Sequence, residues 1–342
     1  MADALLSPAV GGGMWAVSAG ALGYAVKKMG GNAKSGALGL ENTLDEKKIP
    51  LMGIMGAFVF AGQMINFTIP GTGSSGHIGG GILLAAVLGP FPALLTLASV
   101  LLIQCLFFAD GGLLAYGCNV FNMGVTALLA YRFIFKPLVK GGASKGRITA
   151  ASVLSVIAGL QVGALCVVLE TFFSGISALP FTGFLILMQP IHLAIGIVEG
   201  LVTAAVLSYV QSARPELLAS SASGEKLPVS LPLRNILVVF VVLTVITGGL
   251  LSIFASANPD GLEWSIEGVA GTAELEQEGP VYGAAAAVVE KTALMPDYGL
   301  GGNVPEAAGT ALAGIVGSLI TVALAVLTGL CIQGLRRKPR AA

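Results

Sequence analysis

Side chains able to do chemistry are sparse in this 342-residue chain, which has only two histidines. His77 ends the stretch 66–77, "NFTIPGTGSSGH". Its glycines give backbone that a ligand can approach closely. Thr72, Ser74 and Ser75 offer hydroxyls that could bond such a ligand or cap the next helix. Imidazole is a common metal ligand, so His77 suits a metal site and a helix start equally. One imidazole cannot complete a metal site. Cys105, Cys118, Cys166 and Cys331 fall singly in apolar stretches with no CxxC pair, as buried small hydrophobes rather than thiolate ligands do. His192 and Glu199 are seven apart, so they share one helix face and suit a hydrogen-bonded pair. Asp110, ahead of two glycines, suits a helix cap, and Glu170 a helix end in reach of water.

The surrounding medium gives these groups their weight. The chain is 55% hydrophobic and 11% charged, with mean hydropathy +0.88. A soluble domain carries about 25% charged residues, so there is too little charge here to coat a water-facing surface. Runs such as 82–108 and 236–254 are nearly uncharged and long enough to cross a bilayer. The chain is an integral, multi-pass membrane protein. Each ionisable group at bilayer depth is then a functional candidate. The amides Gln63, Asn66, Gln104, Asn119, Asn122 and Gln189 join the list. Zero net charge gives no basic bias toward nucleic acid. The first residues lack the positive region of a cleavable signal peptide.

Apolar segments near 9–26, 50–68, 77–89, 91–108, 112–135, 148–173, 183–210, 234–254 and 308–334 make nine expected spans. "GPFP" at 89–92 breaks the short third span from the fourth, because proline removes a backbone donor. Lysine and arginine cluster at 27–48, 136–147, 214–234 and 336–340. Nine spans with the N-terminus outside place all four clusters inside, so the expected topology is N-out and C-in. Segment 255–307 holds nine acidic residues against Lys291 alone. It suits a solvated outer loop, or an acidic collar that concentrates cations near an entrance. Segment 211–233, rich in serine and proline, suits a cytoplasmic linker. The expected fold is all-α: a seven-span bundle (1–210), a linker (211–233) and a two-span module (234–342).

Four stretches are similar to one known family. They are "ADALLSPAVG" at 2–11, "PLMGIMGAFVFAGQMINFTIPGTGSSGHIGGG" at 50–81, "LLIQCLFFADGGLLAYGCNVFNMG" at 101–124 and "HLAIGIVEG" at 192–200. They resemble the substrate-capture component of energy-coupling factor transporters for cobalt and nickel, CbiM or NikM. "PDGLE" at 259–263 and "MPDYGL" at 295–300 resemble the NikN-type module, so the whole chain looks like an M–N fusion.

The resemblance implies a metal site shared by His77 and the chain start. In the family the terminal amine, a second-residue histidine and its backbone nitrogen join the loop histidine. Four planar nitrogens suit tetragonal Ni(II) and also Cu(II), and the amine must shed its proton to bind. By this resemblance His77 and the Met1 amine are metal ligands. Asn66, Ser75, Gln63, Gln104, Asn119 and Asn122 are supporting groups. Position 2 is alanine, and aligning Leu6-Ser7-Pro8 leaves Met1 two residues short of the family's Met-His start. A Met-His pair encoded upstream of Met1 is the expectation.

The implied function is ATP-driven import of Co(II) or Ni(II) with no permanently bound cofactor, in a bacterial or archaeal cell membrane. The chain has no GxxxxGK[ST] motif, so ATPases of CbiO/NikO type and a coupling protein of CbiQ/NikQ type are the implied partners. The competing class is an ion-coupled secondary transporter for a divalent cation, which would use intramembrane acids such as Glu199 and Asp110. A membrane enzyme would need a serine–histidine or HExxH arrangement, and neither is present.

Overall fold

The computed structural model describes residues 1–30, 45–142, 144–177, 179–273, 275–301 and 304–337. Lys34, Glu274 and the basic residues Lys338 and Arg340 lie outside them. Among the described residues the architecture is all-α apart from one two-stranded hairpin. Seven helical stretches among them are long and apolar enough to cross a membrane. These are α1 (Pro8–Gly30), α4 (Pro90–Phe108), α5 (Tyr116–Val139), α6 (Lys145–Ser174), α7 (Phe181–Ala213), α9 (Arg234–Phe254) and α12 (Ala307–Leu335). A shorter apolar helix, α2, runs over Lys48–Gln63. All but two of its residues are buried at the centre of the molecule.

The third expected span is replaced by a different device. Residues 67–76 form the hairpin, 77–80 have no regular structure, and only Gly81–Leu88 (α3) is helical. Eight residues rise about 12 Å, too little to cross a bilayer. Three consecutive glycines at 79–81 prevent the helix from starting earlier, and Gly80 sits at φ 76°. All eight α3 residues are buried, which permits non-helical backbone at this depth because protein, not lipid, surrounds it. α3 runs antiparallel to α2. Gln63 Nε2 donates to Gly79 O at 3.1 Å at one end, and Lys48 Nζ to Leu88 O at 3.3 Å at the other. The chain therefore returns to the Lys48 end, as a full span would.

The segment 211–233 is not a free linker. α7 continues to Ala213, and α8 (Pro215–Ser223) buries Leu217, Leu218, Ser220 and Ser221. Ser221 Oγ donates to Val87 O at 2.6 Å, and Tyr131 Oη to Ser221 O at 3.0 Å. Ser221, one of the serines that suggest a linker, satisfies a carbonyl at the end of α3 instead, while Ser220 Oγ donates to Glu225 O.

The C-terminal module packs on the shared helix α2. Gly248 of α9 lies against Gly314 of α12, and Gly317 lies on the Phe60 ring of α2. Small residues allow such close helix approach where lipid removes the hydrophobic drive. The outward faces carry Phe173, Ile186, Leu201 and Leu319, all more than half exposed, as a lipid-facing surface requires.

Between α9 and α12 the acidic segment forms α10 (Gly261–Ala270) and α11 (Pro280–Thr292). Glu263, Glu267, Glu276, Glu278, Glu290 and Asp297 are exposed. Thr292 Oγ1 donates to Leu106 O at 2.7 Å and Tyr282 Oη to Leu6 O at 2.8 Å. This segment is a structured cap on the bundle.

Candidate metal-capture site

The site begins with the hairpin. Phe67, Thr68 and Ile69 pair with Gly76, Ser75 and Ser74. Gly71 and Gly73 take φ near 77° at its turn, a region open to glycine at little cost. Thr72 Oγ1 donates to Ile69 O at 2.8 Å and accepts from Ser74 N–H at 3.0 Å. The stretch is thus an ordered pointer carrying His77. Ser74 and Ser75 are fully buried and do not cap α3. Ser75 N–H and Oγ donate to Pro259 O and Asn258 O, each at 2.8 Å.

Those carbonyls introduce "PDGLE". Asp260 Oδ1 accepts from the backbone N–H groups of Leu262 and Glu263 at 2.8 Å each. Glu263 Oε2 accepts from Asp260 N–H at 3.1 Å. This reciprocal capping box starts α10. Trp264 Nε1 donates back to Thr72 O at 3.0 Å, so the module grips the hairpin at both ends.

The chain start forms the third wall. Leu5 and Leu6 are buried, and Leu5 packs with Val167, Val168, Phe184 and Met188. Met1 O accepts from Gly112 N–H at 3.2 Å and from Asn119 Nδ2 at 3.4 Å. Asp3 Oδ1 accepts from Ala115 N–H at 2.8 Å, at the start of α5. The expected capping role of Asp110 thus belongs to Asp3. Asp110 accepts from the hydroxyl of Tyr298, whose proton is held well above the ordinary tyrosine pKa by burial and by Asp110.

These three walls and helices α5, α6 and α7 enclose a cavity of about 130 Å³. Met1, His77, Asn119, Asn122, His192 and Asp260 all line it. His77 is half-buried, with Nδ1 3.2 Å from Ile78 O. His192 Nδ1 donates to Met188 O at 2.8 Å. Its Nε2 therefore carries the lone pair. Among the described residues no three His, Cys, Asp or Glu side chains come together as a metal site. A metal held here needs backbone or amine nitrogens beside imidazole.

The supporting groups separate by role. Gln104 Nε2 donates to Gln63 Oε1 at 2.9 Å, and Gln63 in turn holds Gly79 O, bracing the backbone beyond His77. Asn66 acts through its carbonyl, which accepts from Ser256 N–H at 2.8 Å. Asn119 touches the chain start, and Asn122 donates to Glu170 Oε2 at 2.7 Å. Three expectations change. Glu170 is buried behind Asn122 instead of reaching water. His192 and Glu199 share a face but have separate partners, since Glu199 Oε1 accepts from Gly80 N–H at 2.8 Å. Cys331, expected to be buried, is exposed. Asp260's place at the cavity was missed, although the D-x-x-E pattern signals a helix start there.

Comparison with known proteins gives the chain's relatives. Residues 1–217 match the CbiM model, "Cobalt uptake substrate-specific transmembrane region", and residues 234–334 match the PDGLE domain. The chain is 32% identical over 327 residues to "Putative fused nickel transport protein NikMN" of Archaeoglobus fulgidus, covering 94% of this chain and 95% of that protein. It is 34% identical over 194 residues to the "Fused nickel transport protein NikMN" of Rhodobacter capsulatus, 53% of this chain and 55% of that one. A crystal structure of a transition metal transporter superposes with TM-score 0.52 at 28% identity, covering 63% of this chain and 94% of that one. The chain belongs to the CbiM family of substrate-specific transmembrane components of cobalt uptake, joined here to a PDGLE domain.

Proposed function

We propose that this chain is the metal-capture component of an ATP-driven importer for cobalt or nickel ions. The observation that carries this reading is that Met1 and His77 line the same cavity. Imidazole and amine nitrogens suit both ions. A Met-His pair encoded ahead of Met1 would add a third imidazole, beside those of His77 and His192, and a further backbone nitrogen at that cavity. The domain division follows the site: residues 1–210 supply most of its lining, 234–342 contribute Asp260, Gly261 and Leu262, and 211–233 pack at the far end of α3.

The orientation is N-out and C-in. Lys47, Lys48, Arg147 and Arg214 lie at the end of the bundle opposite His77, as the positive-inside rule expects of a cytoplasmic face. The cavity then opens outward beneath exposed acids that raise the local cation concentration. A coupling protein of CbiQ/NikQ type and ATPases of CbiO/NikO type supply the energy. The membrane is the cell membrane of a bacterium or archaeon.

The test is accumulation of Ni(II) and Co(II) by cells making the chain with and without those partners. Uptake that requires both the ATPases and His77 supports the proposal. Uptake that persists without any ATPase overturns it in favour of an ion-coupled secondary transporter.

A further inference from the structure

Deeper along α5 and α7 lies a second cavity of about 30 Å³, lined by Gly79, Asn122, Thr126, Val156, Leu160 and Glu199 among others. It shares Gly79, Asn122, Met123 and Leu160 with the upper cavity. From His192 to Glu199 is seven residues, about 10 Å along the helix. The volume holds one ion or one water.

The polar side chains of this lower cavity are Asn122, Thr126 and Glu199, and each is turned by a bond on its other side. Glu170 Oε2 takes the Asn122 Nδ2 donor, which leaves Asn122 Oδ1 facing away with no hydrogen-bond partner. Gly80 N–H holds Glu199 Oε1, and Glu199 Oε2 has no partner. Thr126 Oγ1 spends its hydrogen on Asn122 O at 2.5 Å, so only lone pairs remain. Asn122, Thr126 and Glu199 are 7%, 3% and 3% exposed. The three acceptor-bearing residues line one cavity, and among the described residues no lysine or arginine lines it or the upper cavity. Buried unpaired acceptors and carboxylates are costly, and within a membrane they mark ion pathways.

We propose that Glu199 Oε2, Asn122 Oδ1 and Thr126 Oγ1 form an inner, all-oxygen site that holds the transported divalent cation after it leaves the His77 cavity. This rests on the metal-capture reading above. The chemistry divides the labour between the sites. The nitrogen-rich upper site selects and binds tightly, while a carboxylate, an amide carbonyl and a hydroxyl hold a divalent ion more weakly and release it more easily. Glu199 also fixes the Gly80 backbone next to the histidine loop, so an ion drawn onto its carboxylate acts on the turn that carries His77.

Mn(II) is the probe, because it favours oxygen ligands and its paramagnetic resonance signal counts bound ions. The full chain in detergent and its His77→Ala variant should both bind one Mn(II) saturably. Glu199→Gln, which keeps the acceptor for Gly80, should weaken that binding at least tenfold. Thr126→Val should weaken it several-fold without lowering the melting temperature, which covers the case of a Glu199→Gln chain that fails to fold. Unchanged Mn(II) binding in both variants, or no saturable Mn(II) binding by the full chain, overturns the inner site. Tight Ni(II) binding that survives His77→Ala would instead refute the upper site, so the two failures are distinguishable.

Discussion

Ser75 Oγ donates to the carbonyl of Asn258 at 2.8 Å, joining residues 183 apart. Ser75 N–H adds a second bond, to Pro259 O. The hairpin that presents His77 is thereby fastened to the segment that starts α10.

Ser75→Ala removes the hydroxyl bond and leaves a carbonyl unanswered in a buried place, a cost of about 1–3 kcal/mol. The loop should open more often. Release of bound Ni(II) to a chelator, followed by stopped flow, should be several-fold faster than for the unmodified chain. An unchanged rate would show that the fastening does not govern the gate.

Asp260→Ala removes the cap of α10 and should cost about 1 kcal/mol locally. Amide hydrogen exchange in 261–270 should accelerate about fivefold, with little change in α4 or α6. Asp260→Asn retains an acceptor and should restore most of the protection.

Gly317 lies directly on the Phe60 ring. A leucine there overpacks the seam between α12 and α2 and should cost about 1–3 kcal/mol. The melting temperature in detergent should fall by several degrees. Equal melting temperatures would mean that the C-terminal module is not packed on α2 in this way.

The Tyr298–Asp110 bond predicts a pH dependence. Burial and Asp110 raise the folded-state pKa of Tyr298 above the usual value near 10. The stability it contributes is full below pH of about 10 and is lost as pH rises through the raised folded value. Tyr298→Phe should therefore melt below the unmodified chain at pH 8. The gap should narrow under strongly alkaline conditions, as scanning calorimetry at both pH values would show.

Much of this was legible in the residues. Uncharged runs locate the long helices, because lipid demands them, and the glycine–histidine stretch marks the site. Partnerships were harder to see. The sequence periodicity puts His192 and Glu199 on one face, yet Glu199 holds Gly80, a contact made 119 residues away and set by tertiary packing. Eight helical residues of α3 do the work of a span because the backbone before them runs non-helical inside protein, a possibility that hydropathy does not register. Ser221 looks like a linker residue until the Val87 carbonyl at the end of α3 is seen to need a donor. In the same way Asp3, not Asp110, reaches the start of α5, since only the folded chain start brings it there.

The central claim is that metal is captured where Met1 and His77 face one cavity. Equilibrium binding of Ni(II) to the purified full chain carrying a Met-His extension tests it most directly, compared with the same chain bearing His77→Ala. At least a hundredfold loss of affinity, with the melting temperature of the metal-free protein unchanged, is the predicted result. Equal affinity in the two proteins would contradict the account.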